Sequence, residues 1–171
     1  MMIMKPTNCR ARGFGAAVAM VFGLVLPFGA YAQSADEQAV RQVIATYAHS
    51  VDTADIAVAE QIWSNAPEVS FIHPLGEEHG LKEIEADLYR NLMGTTFSKR
   101  KLSPKDIKVR VYGDTAWSEF QWDFVATMRK NGSAFTSQGR ETQVYHKENG
   151  QWRIVHVHYS GVPVKGKVKG L

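Results

Sequence analysis

A chain of 171 residues, 44% hydrophobic and 22% charged, has the composition of an ordinary globular domain with a sizeable core, not that of a disordered or fibrous protein. Its formal charge of +3 is carried by Lys5, Arg10 and Arg12; of 20 basic residues the other 17 balance 17 acidic ones, which leaves no basic stripe for nucleic acid. The single cysteine is Cys9, so downstream of it there is no disulfide, reactive thiol or cysteine metal site.

Met1 to Arg12 is basic without an acid, Gly13 to Phe28 is apolar, and Ala30-Tyr31-Ala32 places small residues at alternate positions. This order predicts a secretory signal peptide over residues 1–32, cleaved between Ala32 and Gln33, and therefore a periplasmic or secreted protein. The apolar run is short for a span of about 20 residues and Pro27 interrupts its end, so no stable membrane insertion is expected after cleavage. No cysteine follows the cleavage site, which argues against a bacterial lipid anchor. Residues 33–163 read as one domain, and residues 164–171, with Lys165, Lys167 and Lys169 beside glycines, as a basic flexible tail.

Asp36 precedes a helical pattern in which Val40, Val43, Ile44, Tyr47 and Val51 recur at three and four residues. Ile56, Ala59, Ile62 and Trp63 predict a second, short helix, and Pro67 prevents any helical continuation. Glu68 to His73 reads as a strand closed by Pro74-Leu75-Gly76. Leu81 to Met93 is helical again, with Leu81, Ile84, Leu88 and Leu92 inward and Gly94 as its end. From there the period becomes two. Asp106 to Tyr112, Thr115 to Arg129, Arg140 to His146 and Trp152 to Tyr159 read as strands, joined by turns at Gly113-Asp114, Asn131-Gly132 and Asn149-Gly150. Helices first and an antiparallel meander after them predict an α+β domain whose helices cover one face of a strongly bent sheet.

This order resembles the nuclear transport factor 2-like, or SnoaL-like, cone fold from about Ala35 to Pro163. The segment Val109 to Gly161 is similar to the association domain of calcium/calmodulin-dependent protein kinase II. It carries the same succession of a Gly113-Asp114 turn, a long strand, Glu141-Thr142-Gln143-Val144-Tyr145-His146 and a terminal His156-Val157-His158-Tyr159-Ser160-Gly161. Three arginine positions of that family are held here by Asp123, Gln143 and Tyr159, which makes the corresponding pocket neutral or acidic. The front half resembles ketosteroid isomerase, through Tyr47, Val51-Asp52 and Asp55-Ile56. That resemblance implies a functional tyrosine at Tyr47, puts His73 in the place of the general base, and lets the second acid of the isomerase fall near Thr142.

The cone implied by the resemblance would bring Tyr47 and His73 together as catalytic candidates. A neutral histidine can take a proton while a buried phenol stabilises negative charge on a carbonyl oxygen. The commoner alternative is a strand-end histidine satisfied by its neighbours and a core tyrosine. Glu119, Gln121 and Asp123 share one face of the long strand and Phe120, Trp122 and Phe124 the other. If the polar face lines the pocket, Asp123 would pair with Arg140 and position a ligand; if the aromatic face does, those polar residues are the wet side of the sheet. Trp63, Tyr89, Thr142 and Tyr159 complete the ligand-binding candidates.

His156 and His158 share a strand face and would need His146 or a carboxylate to hold a metal ion; a hydrogen-bonded polar face is the commoner use, and no metal is expected. Phosphate loops, G-x-S-x-G elbows, C-x-x-C and H-E-x-x-H motifs are absent. The reading is an exported small-molecule-binding protein, with a cofactor-independent isomerase or cyclase using a His base as its catalytic form. The alternative is a non-catalytic ligand-binding or oligomerisation module. A homodimer or higher homo-oligomer is expected, since an open bent sheet needs covering.

Overall fold

The computed structural model describes Met1 and residues 28–162, with side chains from Ala35 onward; most of the predicted signal peptide and the whole basic tail lie outside these residues. Helix α1 spans Phe28–Thr53 and buries Val40, Val43, Ile44, Tyr47 and Val51, the stripe its spacing predicts. It begins before Asp36, which is not its cap. Asp36 Oδ1 instead accepts from Lys147 Nζ at 2.6 Å and Trp152 Nε1 at 3.0 Å, which ties the helix to the last hairpin and lowers the Asp36 pKa.

Helix α2 is a single turn, Ile56–Ala59, capped by Asp55, whose Oδ1 accepts from the amides of Ala57 and Val58 at 2.8 and 3.3 Å. The predicted helix stops there because Ile62 and Trp63 are taken up by the sheet. Trp63 bridges Ile154, with Ile154 N donating to Ile62 O at 2.7 Å. Strands β1 (Ser70–His73) and β2 (Gly76–His79) form a hairpin around Pro74-Leu75; β2 has no hydrophobic alternation, so the sequence pattern gives no sign of it.

Helix α3 (Gly80–Ile84) continues into a π-helical segment, Glu85–Thr96, two residues past the expected stop at Gly94. Buried residues five apart, Ile84 with Tyr89 and Leu88 with Met93, match the wider i→i+5 winding. Four long strands come next: β3 (Phe97–Tyr112), β4 (Thr115–Met128), β5 (Ala134–Glu148) and β6 (Gln151–Gly161). The first half of β3 escapes a sequence reading because it is rich in Lys and Ser and contains Pro104. Such a strand survives at a sheet edge, where β3 lies, and it breaks register between Lys105 and Lys108 around Asp106 at φ +53°.

The sheet order is β2-β1-β6-β5-β4-β3, antiparallel except that β1 runs parallel to β6. Ala116, Ser118, Phe120, Trp122 and Phe124 of β4 are buried beneath the helices, while Glu119, Gln121 and Asp123 point the other way. The aromatic face is therefore the inner one. Gly139, opposite Trp122, permits a close approach: a Cβ there would lie 2.6 Å from the indole Cζ2 and clash with the Ser160 carbonyl. No helix among the described residues is long and apolar enough to cross a membrane.

Candidate functional site

Once the aromatic face of β4 turns inward, antiparallel register decides what faces it. Phe120 is opposite Glu141, Ser118 opposite Gln143 and Ala116 opposite Tyr145. All three β5 side chains thus enter the core, and Glu141 is only 4% exposed. Above them the sheet, α1 and the π-helical segment enclose a cavity of about 210 Å³. Its walls are mainly Val51, Phe71, Leu88, Met93, Phe124 and Tyr159, and its polar lining includes Tyr47 and Glu141.

The hydrogen bonds at the base of this cavity have only one possible direction. Tyr145 donates to Gln143 Oε1 at 2.5 Å, because an amide oxygen only accepts; Ser118 must then donate to the Tyr145 oxygen at 2.8 Å. Gln143 Nε2 in turn donates to Glu141 Oε1 at 2.6 Å. Burial pushes the Glu141 pKa up to about 8, against the opposing hydrogen bonds from Gln143 and Tyr47. The protonated form of Glu141 is thus favoured by burial at neutral pH. Burial, and next the charge Glu141 carries when ionised, hold the Tyr47 phenol well above its ordinary pKa. The pair carries two protons; if one is shared between its members, the other is free for an acceptor in the cavity.

A vestibule of about 310 Å³ shares Phe71, Leu75, Leu88 and Leu92 with the cavity and adds His73 and Glu78. Cross-strand register puts Phe71, His73, Gly76 and Glu78 on one face of the first hairpin. His73 Nε2 lies 2.9 Å from Glu78 Oε1, and Leu75 N donates to His73 Nδ1 at 3.2 Å. An accepting Nδ1 requires the proton on Nε2, so the imidazole donates to the carboxylate. The ring stacks on Tyr159, centroids 6.0 Å apart. Among the described residues two buried polar side-chain atoms have no hydrogen-bond partner, Glu78 Oε2 and Trp122 Nε1.

The residues expected at the site are divided between the cavity, its walls and the far side of the sheet. Tyr47 and Tyr159 line the cavity and His73 lines its vestibule. Trp63 and Tyr89 sit behind the wall. Trp63 Nε1 donates to the Tyr89 oxygen at 3.2 Å, Tyr89 must then donate to Ser50 Oγ at 2.9 Å, and Ser50 donates to the Tyr47 carbonyl at 2.8 Å. Asp123, Arg140 and Thr142 are on the outer face, away from the cavity. Nor does Asp123 pair with Arg140. Register sets it opposite Gln138, and its carboxylate meets Lys105 Nζ at 2.6 Å in a half-exposed bridge.

His156 Nδ1 is 2.8 Å from Ser70 Oγ, and burial lowers its pKa. Among the described residues no three His, Cys, Asp or Glu side chains gather as a metal site. Glu141, Gln143 and Glu78 are the functional candidates that sequence reasoning missed. Strand alternation groups Glu141 with Gln143 and Tyr145, but a hydrophobicity argument favours Val144 as the inward residue and puts the acid outside.

Residues 40–165 match the SnoaL-like domain family. A nuclear transport factor 2 (NTF2-like) superfamily protein from Salmonella enterica serovar Typhimurium LT2 is 43% identical, with a TM-score of 0.77 over 81% of this chain and 99% of that one. The hexachlorocyclohexane dehydrochlorinase LinA-type3 of Novosphingobium barchaimii LL02 shares the fold at 12% identity, with a TM-score of 0.69 over 78% of this chain and 90% of the other. The association domain of C. elegans CaMKII shares it at 22% identity, with a TM-score of 0.61 over 75% and 98%. No curated protein matches the chain. The extent of the domain match and the identity to the Salmonella protein establish that this chain belongs to the SnoaL-like family of the NTF2-like superfamily.

Proposed function

We propose that the cone binds a compact, largely apolar small molecule carrying a carbonyl or similar acceptor, and that the protein is a cofactor-independent enzyme of isomerase, cyclase or dehydratase type. The observation that carries this reading is a buried carboxyl, Glu141, its pKa raised by burial, that shares the lining of an apolar cavity with the buried phenol of Tyr47. Two donors held in a dry, preorganised site stabilise negative charge developing on a carbonyl oxygen far better than water does. The His73–Glu78 pair at the mouth supplies the proton-handling group that such a reaction needs. The dehydrochlorinase neighbour supports elimination chemistry as compatible with this fold, as analogy only.

The volume, below the roughly 300–1,000 Å³ of drug-sized pockets, favours a ligand of one or two rings. Cyclohexanone and methylcyclohexane, titrated while melting is followed, test the reading. The ketone should stabilise the protein and the hydrocarbon much less, and the difference should vanish in Glu141→Leu. Equal stabilisation by both would show that the carboxyl orients nothing.

Export and assembly accompany this reading as proposals. Cleavage after Ala32 would leave α1 to begin at Gln33 with its buried stripe from Val40 intact, and intact mass after expression in an exporting host checks it. Homodimerisation across the outer sheet face is supported by a groove of about 420 Å³ lined by Lys108, Glu119, Arg140, Thr142 and His158, which no described element covers. If that face only gathers copies and the cone binds nothing, the assembly-module reading stands; sedimentation with and without Arg140→Glu measures it.

A further inference from the structure

We propose that the proton acceptor of this site is Glu78 Oε2, and that His73 is a positioning residue which anchors this carboxylate in the wall of the vestibule. The assignment rests on the ligand-site reading above and sharpens it. The catalytic histidine suggested by sequence has neither ring nitrogen at liberty: Nδ1 accepts from the Leu75 amide and Nε2 donates to Glu78 Oε1. A base whose lone pair is already engaged and whose other nitrogen bears a proton cannot take one from a ligand without first breaking a bond.

Glu78 is placed differently. One oxygen is anchored, which fixes the rotamer; the other is buried without a partner and belongs to a side chain lining the vestibule. An unpartnered buried acceptor costs free energy that the fold would avoid unless something else met it. Gly76, opposite His73, has no side chain to obstruct that corner; even an added Cβ would come only to 4.0 Å from His73 Nε2. The other carboxylate in the vestibule, Asp87, is exposed and accepts from Asn91 Nδ2 at 2.8 Å. Tyr159 lines the cavity together with Glu141, and its ring stacks on that of His73, whose Nε2 meets Glu78. A flat ligand beside it would have Glu78 at one edge and the Glu141–Tyr47 donors at the other.

The reaction so arranged moves a proton from a ligand C–H to Glu78 Oε2. The C–H electron pair shifts into the ligand, and the charge collects on an oxygen facing Glu141 and Tyr47. Nitrobenzisoxazole is a probe with this demand: loss of its carbon-bound proton forms a nitrile as the N–O bond breaks and the oxygen leaves as a phenolate.

The experiment measures phenolate release and probe binding by the full-length exported protein and its variants. Wild type should open the ring faster than acetate buffer does, and Glu78→Gln, which still accepts from His73, should lower kcat by about 10²–10⁴-fold with KM little changed. Glu78→Asp should restore part of the rate. His73→Gln keeps an N–H for Oε1 and should retain measurable kcat, whereas His73→Ala should lose more; melting curves confirm that each variant is folded. Loss of activity in His73→Gln with Glu78→Gln unaffected would return the base to His73 and overturn the assignment. Binding without turnover by wild type would overturn it too while leaving the ligand site standing. Absence of binding would remove both.

Discussion

The closed end and the mouth of the cone are both built from a carboxyl with hydrogen-bonding neighbours, yet they are finished in opposite ways. At the closed end each donor is directed toward Glu141, from Ser118 through Tyr145 and Gln143, and burial is complete enough to keep the acid protonated. At the mouth one oxygen of Glu78 is held and the other is left without a partner. A chain of donors converging on one group fixes one arrangement of the core; a buried acceptor without a partner costs stability unless another group meets it. The difference teaches that burial and hydrogen bonding can set two acids of one cone to different work, which in the proposed reaction is donation to charge that forms for Glu141 and acceptance of a proton for Glu78.

Glu141 gives the largest expected effect, through pH. Unfolded, its carboxyl titrates near the ordinary value of 4.5, and folded near 8. Between those values the folded state keeps a proton that the unfolded state has lost, so stability falls as pH rises through that window. The loss from pH 5 to pH 8 should be on the order of 3 kcal/mol, and Glu141→Gln should abolish it; urea denaturation at the two pH values checks both statements. A flat profile in the wild type would mean that the closed end is wetter than its burial implies.

Next in size is Tyr145→Phe, which deprives Gln143 Oε1 of its donor and Ser118 of its acceptor. It should destabilise by about 1–3 kcal/mol at pH 6 in equilibrium unfolding. At the mouth, Glu78→Gln keeps the acceptor that His73 meets and replaces an oxygen that has no partner, so it should change stability by no more than about 0.5 kcal/mol, or raise it, while impairing function. A large destabilisation there would erase the contrast and make Glu78 a structural group. The smallest effect is expected outside: Arg140→Ala and Thr142→Ala should shift stability by less than about 0.5 kcal/mol and leave cyclohexanone binding unchanged.

Much of the fold was legible because its signals are local. The three- and four-residue spacing from Val40 to Val51, the Asn149-Gly150 turn with φ of +51° and +80°, and the alternation along β4 all report what a short segment does by itself. The misses share a different cause. The sequence pattern puts Asp36 before the first helix, but it lies within it, and its partners, Lys147 and Trp152, are more than a hundred residues away. The β2 strand and the start of β3 carry no hydrophobic pattern, since each is an edge strand whose pairing partner, not its own side chains, makes it extended.

The same distinction governs the site. The sequence by itself determined that Tyr47 lies on the buried stripe of α1, that Glu141, Gln143 and Tyr145 share one strand face, and that Phe120, Trp122 and Phe124 share another. Tertiary structure alone decided that these two faces look at each other across the β4–β5 register and that the helices cover them, placing Glu141 inside and Asp123, Arg140 and Thr142 outside. It also decided that His73 spends both nitrogens on its neighbours. A period of two says which residues travel together but carries no sign; the sign is set by what packs on the sheet, and hydrogen-bond partners are set by proximity in space.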